Sequence, residues 1–184
     1  VLRNGEVIDI ARKGDLQLTL NRQTNDGPHI AFYRSGGVRS YISTRDNAFC
    51  IDVNSTNERF RIDSDGQIGI GNIVPDTWST GKSITIGTAQ ATLWGVGDQV
   101  NLSGNAYFNS GWKAAATKAG ASQIQQALGN IDFRVTGSIS ADAAITWIDA
   151  LRITKTGKIG INDTDPERTL DVVGSNAMIQ IEGS

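Results

Sequence analysis

The sequence predicts an all-β protein built from repeated short strands and hairpins. Segments 61–71 (RIDSDGQIGIG) and 152–162 (RITKTGKIGIN) are nearly the same, and each is followed by a proline, Pro75 or Pro166. Apolar and polar residues alternate in both segments, which is the pattern of a half-buried strand. The chain also contains 21 glycines but only 3 prolines, a composition that favours many tight turns. Repetition of this kind indicates a modular architecture.

Each copy of the repeat contains an apolar pair, a polar turn that ends in glycine, and a second apolar pair. The pairs are Phe60/Ile62 with Ile68/Ile70 in the first copy and Leu151/Ile153 with Ile159/Ile161 in the second. This order predicts a β-hairpin in each copy. The structural turn glycines are Gly66 and Gly157, and we expect φ > 0 at both because glycine adopts that conformation without steric cost.

Weaker similarities extend the two copies and divide the chain into units. The matched segments are 32–37 with 107–112, 49–53 with 131–135, the post-proline strands 83–87 with 170–174, and 15–20 with 177–181. They predict a first β module at 15–87 and a second at 88–174. Residues 1–14 are interpreted as the end of a preceding unit and 175–184 as the start of a further one. The sequence is therefore interpreted as a piece of a longer protein.

The segment 113–128 gives two conflicting signals. It is rich in Ala, Gln and Lys, which favour a helix. Gly120 interrupts it, and the repeat aligns it with 38–43, where the pattern is that of a strand. Because tertiary context overrides propensity, the repeat decides the prediction in favour of a strand.

Composition and charge exclude several classes of protein. The formal net charge is −2 and no basic block is present, so no nucleic-acid interface is expected. No apolar run approaches the roughly 18–20 residues that a bilayer-spanning helix needs, so no membrane insertion is expected. Cys50 is the single cysteine and cannot form a disulfide within the chain. It is predicted to be a small buried strand residue.

Catalytic and metal-binding patterns are missing from the sequence. The single histidine, His29, lies in a turn-like stretch, and no serine has the surroundings of a nucleophile elbow. Segment 63–66 resembles the start of a calcium loop, but the later ligands are lacking and its copy at 154–157 has no carboxylate. None of the acidic residues is marked out as a glycosidase pair. We therefore expect no catalytic residue, no metal, no cofactor and no hydrolase activity.

Aromatic residues are the remaining candidates for recognition, because indole faces can stack on sugar rings. Trp147 alternates with isoleucines and is predicted to be a core residue. Trp78 and Trp112 lie in loop-like contexts where the two copies differ. With Tyr107 they are the candidate receptor or glycan contacts, and packing in a core is the alternative for each.

The predicted strands are short, and each carries only two or three inward apolar residues. Full burial of one aliphatic side chain contributes only about 1.5–3 kcal/mol, so such strands need neighbours. A β-sandwich within the chain and association of copies around a threefold axis are both compatible with the sequence. Arg61 and Arg152 share one strand position, where an interchain salt bridge or a solvated outward face is expected.

The pattern L-R-I-x-x-x-G-x-I-G-I-x-x-x-x-P-x-x-x-L-D-V, from Leu151 to Val172, resembles a segment common in bacteriophage tail fibres and tailspikes. Segments 16–36, 102–108 and 143–147 are similar to repeats of marine and cyanobacterial phage fibres. The resemblance implies an elongated, interwoven parallel homotrimer, comparable to a β-prism or β-helix. It also implies a location in the tail fibre of the virion.

The same resemblance implies a structural role. The chain would build the trimeric appendage and support adhesion to the host cell surface. Its partners would be other copies of itself, other tail components and host surface polysaccharide. Two alternatives stay open at this point: a fragment of a polysaccharide-degrading tailspike, which would be a glycoside hydrolase, and a repeat of a bacterial surface adhesin.

Overall fold

The computed structural model describes residues 18–54, 57–71, 75, 78–87, 90–175 and 177–179. Over these residues the chain is all-β and contains no helix, which confirms the predicted fold class. Thirteen strands form one sheet, and two further strands form a separate hairpin. The predicted terminal unit 1–14 lies outside the described residues.

The fifteen strands among the described residues are short. In chain order they are β1 Gly27–Arg34, β2 Gly37–Arg45, β3 Ala48–Val53, β4 Asn57–Ile62, β5 Ile68–Ile70, β6 Lys82–Ile86, β7 Ala91–Val96, β8 Gln99–Gly104, β9 Ala106–Phe108, β10 Trp112–Ala114, β11 Ala121–Ala127, β12 Asn130–Thr136, β13 Ile148–Ile153, β14 Ile159–Ile161 and β15 Leu170–Val172. They follow one another across the large sheet, except that β9 and β10 pair separately and β8 pairs with β11. Neighbours are antiparallel apart from the parallel pairs β5–β6 and β14–β15.

The sequence repeat is also a structural repeat. Strands β3–β6 and β12–β15 are joined by the same two antiparallel pairings followed by one parallel pairing. Arg61 lies opposite Gly69 in the first copy, as Arg152 lies opposite Gly160 in the second. A register shift follows Ile51 and its counterpart in the second copy. Both predicted hairpins and both post-proline strands are therefore present in the same register.

The two hairpin turns have the same hydrogen bonds in both copies. Gly66 N donates to Asp63 O at 3.0 Å, and Gly157 N donates to Thr154 O at 2.9 Å. A side-chain oxygen of Asp63 or Thr154 accepts a second bond from the amide at the far end of the turn. The two glycines have φ of 76° and 81°, so the positive φ expected of a turn-closing glycine is present at both.

The segment with conflicting signals forms strands. Ala121–Ala127 is β11, paired with β8 on one side and β12 on the other. The segment's start belongs to β10, and no helix occurs in 113–128. The preference of Ala and Gln for helix is overridden by pairing on both edges of the strand, which satisfies its backbone groups.

One of the weaker similarities does not correspond to equivalent positions. Segment 32–37 forms the β1–β2 turn in the large sheet, whereas 107–112 lies in the separate β9–β10 hairpin. The shared letters reflect shared turn chemistry, since Ser35 and Ser110 have φ of 53° and 52°. The sheet also continues across the proposed module boundary at 87/88, where β6 pairs with β7.

The two terminal segments matched by sequence are described only in part. Residues 18–20 and 177–179 are not in strands. The remainder of 15–20 and of 177–181 lies outside the described residues. The module boundaries therefore stay predictions.

We predict that Gly157→Val destabilises the chain by about 1 kcal/mol or more, because valine is strained at φ of 81°. A Cβ at this position would meet nothing within 4 Å, so the loss of stability would come from the backbone conformation alone. Gly137→Val is the matched control, since a Cβ there is equally unobstructed and no positive φ is involved. Urea unfolding at one fixed chain concentration is the measurement. Equal losses in the two variants would contradict the prediction.

Candidate functional site

One face of the large sheet is apolar across most of its strands. Residues that lie opposite one another on neighbouring strands share a face, so the pairing register traces a row of side chains. This row, called here the apolar row, consists of Phe49, Ile62, Ile68, Ile84, Leu93, Leu102, Ile124, Phe133, Leu151, Ile161 and Val172. Every member is apolar, from β3 to β15.

No member of the apolar row is buried: six of the eleven are exposed and five are partly exposed. Phe49, Leu93 and Leu102 are 43%, 46% and 55% exposed, and Ile86 in the adjoining row is 53% exposed. Within the described part of the chain, elements contact chiefly their neighbours in the sheet, and no second layer of strands covers the row. Large contiguous apolar patches are rare on monomeric proteins and mark interaction surfaces.

The opposite face is polar and buried. One cross-strand row on that face consists of Ser43, Cys50, Arg61, Gly69, Thr85, Thr92, Ser103, Gln123 and Arg134, and all of these except Arg134 are buried. The usual arrangement of a half-buried sheet is therefore reversed in the described residues. The chain covers its polar face and leaves its apolar face bare.

Ion pairs satisfy the buried charges of the first copy. Glu58 accepts from Arg45 Nη1 and Arg61 Nε, each at 2.9 Å. Asp52 accepts from Ser43 Oγ at 2.6 Å and from Arg45 Nη2 at 3.2 Å. Buried charges are tolerated only when they are paired and hydrogen-bonded in this way.

The second copy holds a different network at the same backbone positions. Asp132 accepts two bonds from Arg152, Nε to Oδ1 at 2.6 Å and Nη2 to Oδ2 at 3.0 Å. It also accepts from Arg134 Nη2 at 3.1 Å, and Arg134 Nε donates to Asp149 Oδ1 at 2.6 Å. Asp132 thus joins two arginines on one carboxylate.

The solvated outward face expected for Arg61 and Arg152 is wrong, whereas an interchain salt bridge at these positions stays a prediction. Each arginine makes an ion pair within the chain, and their side chains are only 4% and 20% exposed. Their shared strand position faces the polar side of the sheet, where carboxylates are within reach. The sequence did not reveal this because the two arginines pair with acids at different positions: Arg61 with Glu58 on its own strand and Arg152 with Asp132 on the neighbouring strand. Asp149, which occupies the Glu58 position in the second copy, pairs with Arg134 instead.

We predict that Asp132→Asn lowers the free energy of unfolding by about 2 kcal/mol, because two partly buried arginines lose their shared counter-charge. Asp149→Asn should cost less, since the Asp149 side chain is 30% exposed and contacts one arginine. Urea unfolding of both variants is the measurement. A loss for Asp132→Asn no greater than that for Asp149→Asn would contradict the central role of this carboxylate.

An aromatic cluster fixes the separate hairpin against the large sheet. Trp94 on β7 stacks on Trp78 at 5.6 Å and on Phe108 at 5.5 Å between ring centroids. Trp112 packs edge-on against Trp94 at 5.4 Å and against Trp147 at 6.0 Å. Such aromatic pairs stabilise a fold beyond the area that they bury.

Two of the candidate glycan contacts are buried in this cluster. Trp78 is 6% exposed and Tyr107 is 5% exposed, and the Tyr107 hydroxyl donates to Asp142 Oδ1 at 2.7 Å. Trp112 and Trp147 are partly buried. Loop-like sequence around these residues concealed their packing, because the β9–β10 hairpin folds back onto β7. A receptor contact by Trp78, Trp112 or Tyr107 stays a prediction.

The remaining candidate residues have structural surroundings. His29 lies on β1 rather than in a turn, with its Nε2 3.0 Å from Thr44 Oγ1. Cys50 is fully buried on β3, and burial raises the pKa of its thiol to about 11. The Asp63 carboxylate accepts bonds from the amides of Asp65 and Gln67, so its acidic turn is accounted for by backbone capping. Among the described residues no group of three or more His, Cys, Asp or Glu could hold a metal ion.

Comparisons with known proteins identify no family for this chain, so inferences about its function depend on its fold and its surfaces. No protein-family model matches the chain, and no curated protein matches it significantly. In the part of the chain that the structure describes, no helix is long and apolar enough to cross a membrane. The bare apolar row is therefore the structural observation that bears on function.

We predict that the Cys50 thiol reacts slowly with a thiol reagent in the native protein at pH 8 and rapidly in urea. The raised pKa of about 11 keeps the thiol neutral there, and burial hinders access. Because the folded-state pKa lies above the usual value of 9.0, its stabilising effect is complete below pH 9 and is lost as the pH rises toward 11. Equal rates with and without urea would contradict the burial of this residue.

Proposed function

We propose that the chain is a structural module of a bacteriophage tail fibre that associates into a parallel homotrimer and supports adhesion to the host cell surface. The observation that carries this proposal is the bare apolar row, which crosses the sheet from β3 to β15. A chain whose polar face is covered and whose apolar face is open needs other molecules to complete its core.

Association through the apolar row is energetically reasonable. Full burial of an aliphatic or phenyl side chain contributes about 1.5–3 kcal/mol, and a half-exposed one gains about half of that when it is covered. Leu93, Leu102 and Phe133 are between 39% and 55% exposed. Several such residues per chain supply enough apolar surface to offset the translational and rotational entropy lost on association.

A homotrimer suits a chain with a single bare face. Three copies around a common axis bury one face of each chain, while the ion pairs on the opposite faces stay intact. The threefold number and the parallel arrangement are what the resemblance of Leu151–Val172 to tail fibres implies. Copies of the chain, other tail components and host surface polysaccharide are its proposed partners, and the virion tail fibre is its proposed location.

The proposed role is mechanical and adhesive rather than catalytic. The copies share a turn-closing glycine, Gly66 or Gly157, and the isoleucines of β5 and β14, which lie on the apolar face of the sheet. Most carboxylates differ between the copies, and Glu58, Asp132 and Asp63 are used in ion pairs or turn capping. These features support a structural module, because what the two copies have in common is their backbone conformation and their apolar face.

We predict that Leu102→Asp converts a trimer into monomers, because a carboxylate in the apolar row would be buried without a counter-charge. Light scattering should give three times the chain mass of 19.6 kDa for the unaltered chain and about that mass for the variant. Leu128→Asp is the matched control, since Leu128 is 74% exposed in the turn between β11 and β12. It should remain trimeric.

Two results would contradict the proposal. A stable, folded monomer of the unaltered chain would exclude self-association through the apolar row. If the unaltered chain had twice the chain mass in solution, the apolar row could still be the interface, but the assembly would be a face-to-face dimer and not a trimer.

A further inference from the structure

A polar cavity lies beside the hairpin turn of the second copy. Its volume is about 290 Å³, and its lining is mostly polar, unlike that of the cavities beside the apolar row. The lining residues are Asn130, Arg152, Thr154, Lys155, Thr156, Lys158, Thr164, Asp165 and Pro166. Three cationic side chains and three threonines therefore converge on a space near the lower limit for small-ligand sites.

Most of the polar groups around this cavity are held in place by the fold. The Arg152 guanidinium is fixed by Asp132 and donates from Nη1 to Thr164 O at 2.8 Å. Lys158 Nζ donates to Pro166 O at 3.0 Å. The turn itself is fixed by Thr154 and its neighbours, and the exposed Lys155 extends from it. Most of these cationic side chains are therefore ordered before a ligand binds, which reduces the conformational entropy lost on binding.

The first copy shows that these lysines are not required by the turn. The repeat places Lys155 and Lys158 where the first copy has Ser64 and Gln67, and it exchanges two aspartates for threonines. The backbone hydrogen bonds and the positive φ of the glycine are the same in both copies. The charge of the turn is therefore reversed on an unchanged backbone, which shows that the turn conformation itself does not require the basic residues.

The charges around the cavity favour an anion. The lining carries three cationic side chains; Asp132, which pairs with Arg152, and Asp165, which also lines the cavity, balance two of these charges and leave one positive charge beside the threonine hydroxyls. Ammonium and guanidinium groups bind phosphate and carboxylate oxygens through charge-assisted hydrogen bonds. Threonine hydroxyls can donate bonds to the hydroxyls of a sugar and accept bonds from them, and the carboxylate of Asp165 can accept them.

We propose that this cavity, called here the basic pocket, binds an oxyanion, phosphate or carboxylate, carried by a surface polysaccharide. The polysaccharide as the carrier rests on the proposed adhesive function, whereas the anion follows from the pocket itself. The first-copy turn carries two aspartates where the second-copy turn has threonines, and it has no lysine. One anionic group is bound per chain.

The test uses the whole chain and three probes: inorganic phosphate, an oligomer of glucuronic acid and a neutral dextran oligomer. Binding is measured by calorimetry and by amide chemical shifts at Gly157 at low and high salt. Phosphate, glucuronate or both should bind at the pocket, more tightly than dextran and more weakly at high salt. Preference between the first two probes distinguishes a phosphorylated polymer from a uronic acid polymer.

The variant Lys155→Ser with Lys158→Gln places the residues of the first copy in the turn of the second. We expect it to fold and to bind the anionic probe about tenfold more weakly or worse. Lys118→Gln, which removes an exposed lysine outside the pocket, should leave binding unchanged. Unfolding curves recorded for each variant show whether a loss of binding is a loss of structure.

Equal binding of the anionic probe by the double variant and the unaltered chain would overturn the proposal, as would equal binding of dextran or no binding of either anion. Light scattering of the same samples separates this outcome from failure of the proposed function. If the chain is a monomer that binds the anion, the pocket is supported and the proposed trimer is excluded. If the chain is a trimer that binds no anion, the trimer is supported and the pocket is excluded.

Discussion

The structure depends on a reversal of the two faces of one sheet. In a strand successive side chains point to opposite faces, so a chain that alternates apolar and polar residues must choose which face to cover. This chain covers the polar face with ion pairs, amide hydrogen bonds and an aromatic cluster, and it leaves the apolar row bare. The pairing register maintains this separation across the whole sheet, because a slip of one residue would exchange the faces.

The duplication explains how two different polar networks coexist on one backbone. Turn geometry, strand register and the apolar row are shared by the copies, as are the positions of Arg61/Arg152 and Glu58/Asp149, whereas the other charged residues of the two networks occupy different positions. Cys50 in the first copy corresponds to Asp132 in the second, and Asp52 corresponds to Arg134. Each copy satisfies its own buried charges, so the polar face could diverge while the apolar face was retained.

The sequence was informative wherever a local signal controlled the structure. Alternation and glycine-closed turns predicted the two hairpins, the post-proline strands and the positive φ of Gly66 and Gly157. The strand in 113–128 was found only because the repeat outweighed helix propensity. What the sequence could not supply were contacts between distant segments. The burial of Trp78 and Tyr107 depends on the β9–β10 hairpin folding back onto β7, and the ion pair of Arg152 depends on a neighbouring strand.

The nearly sequential order of the strands has a consequence for how such a chain can change over generations. Since each strand of the large sheet pairs with the strand that precedes or follows it, apart from the step over β9 and β10, few contacts join distant units. In such quasi-one-dimensional folds, insertion or loss of a whole unit disturbs only the junction. Recombination between β6 and β7, at the predicted module boundary, would lengthen or shorten the protein in whole units. The number of units in such a protein could therefore change by recombination while the packing within each unit stays the same.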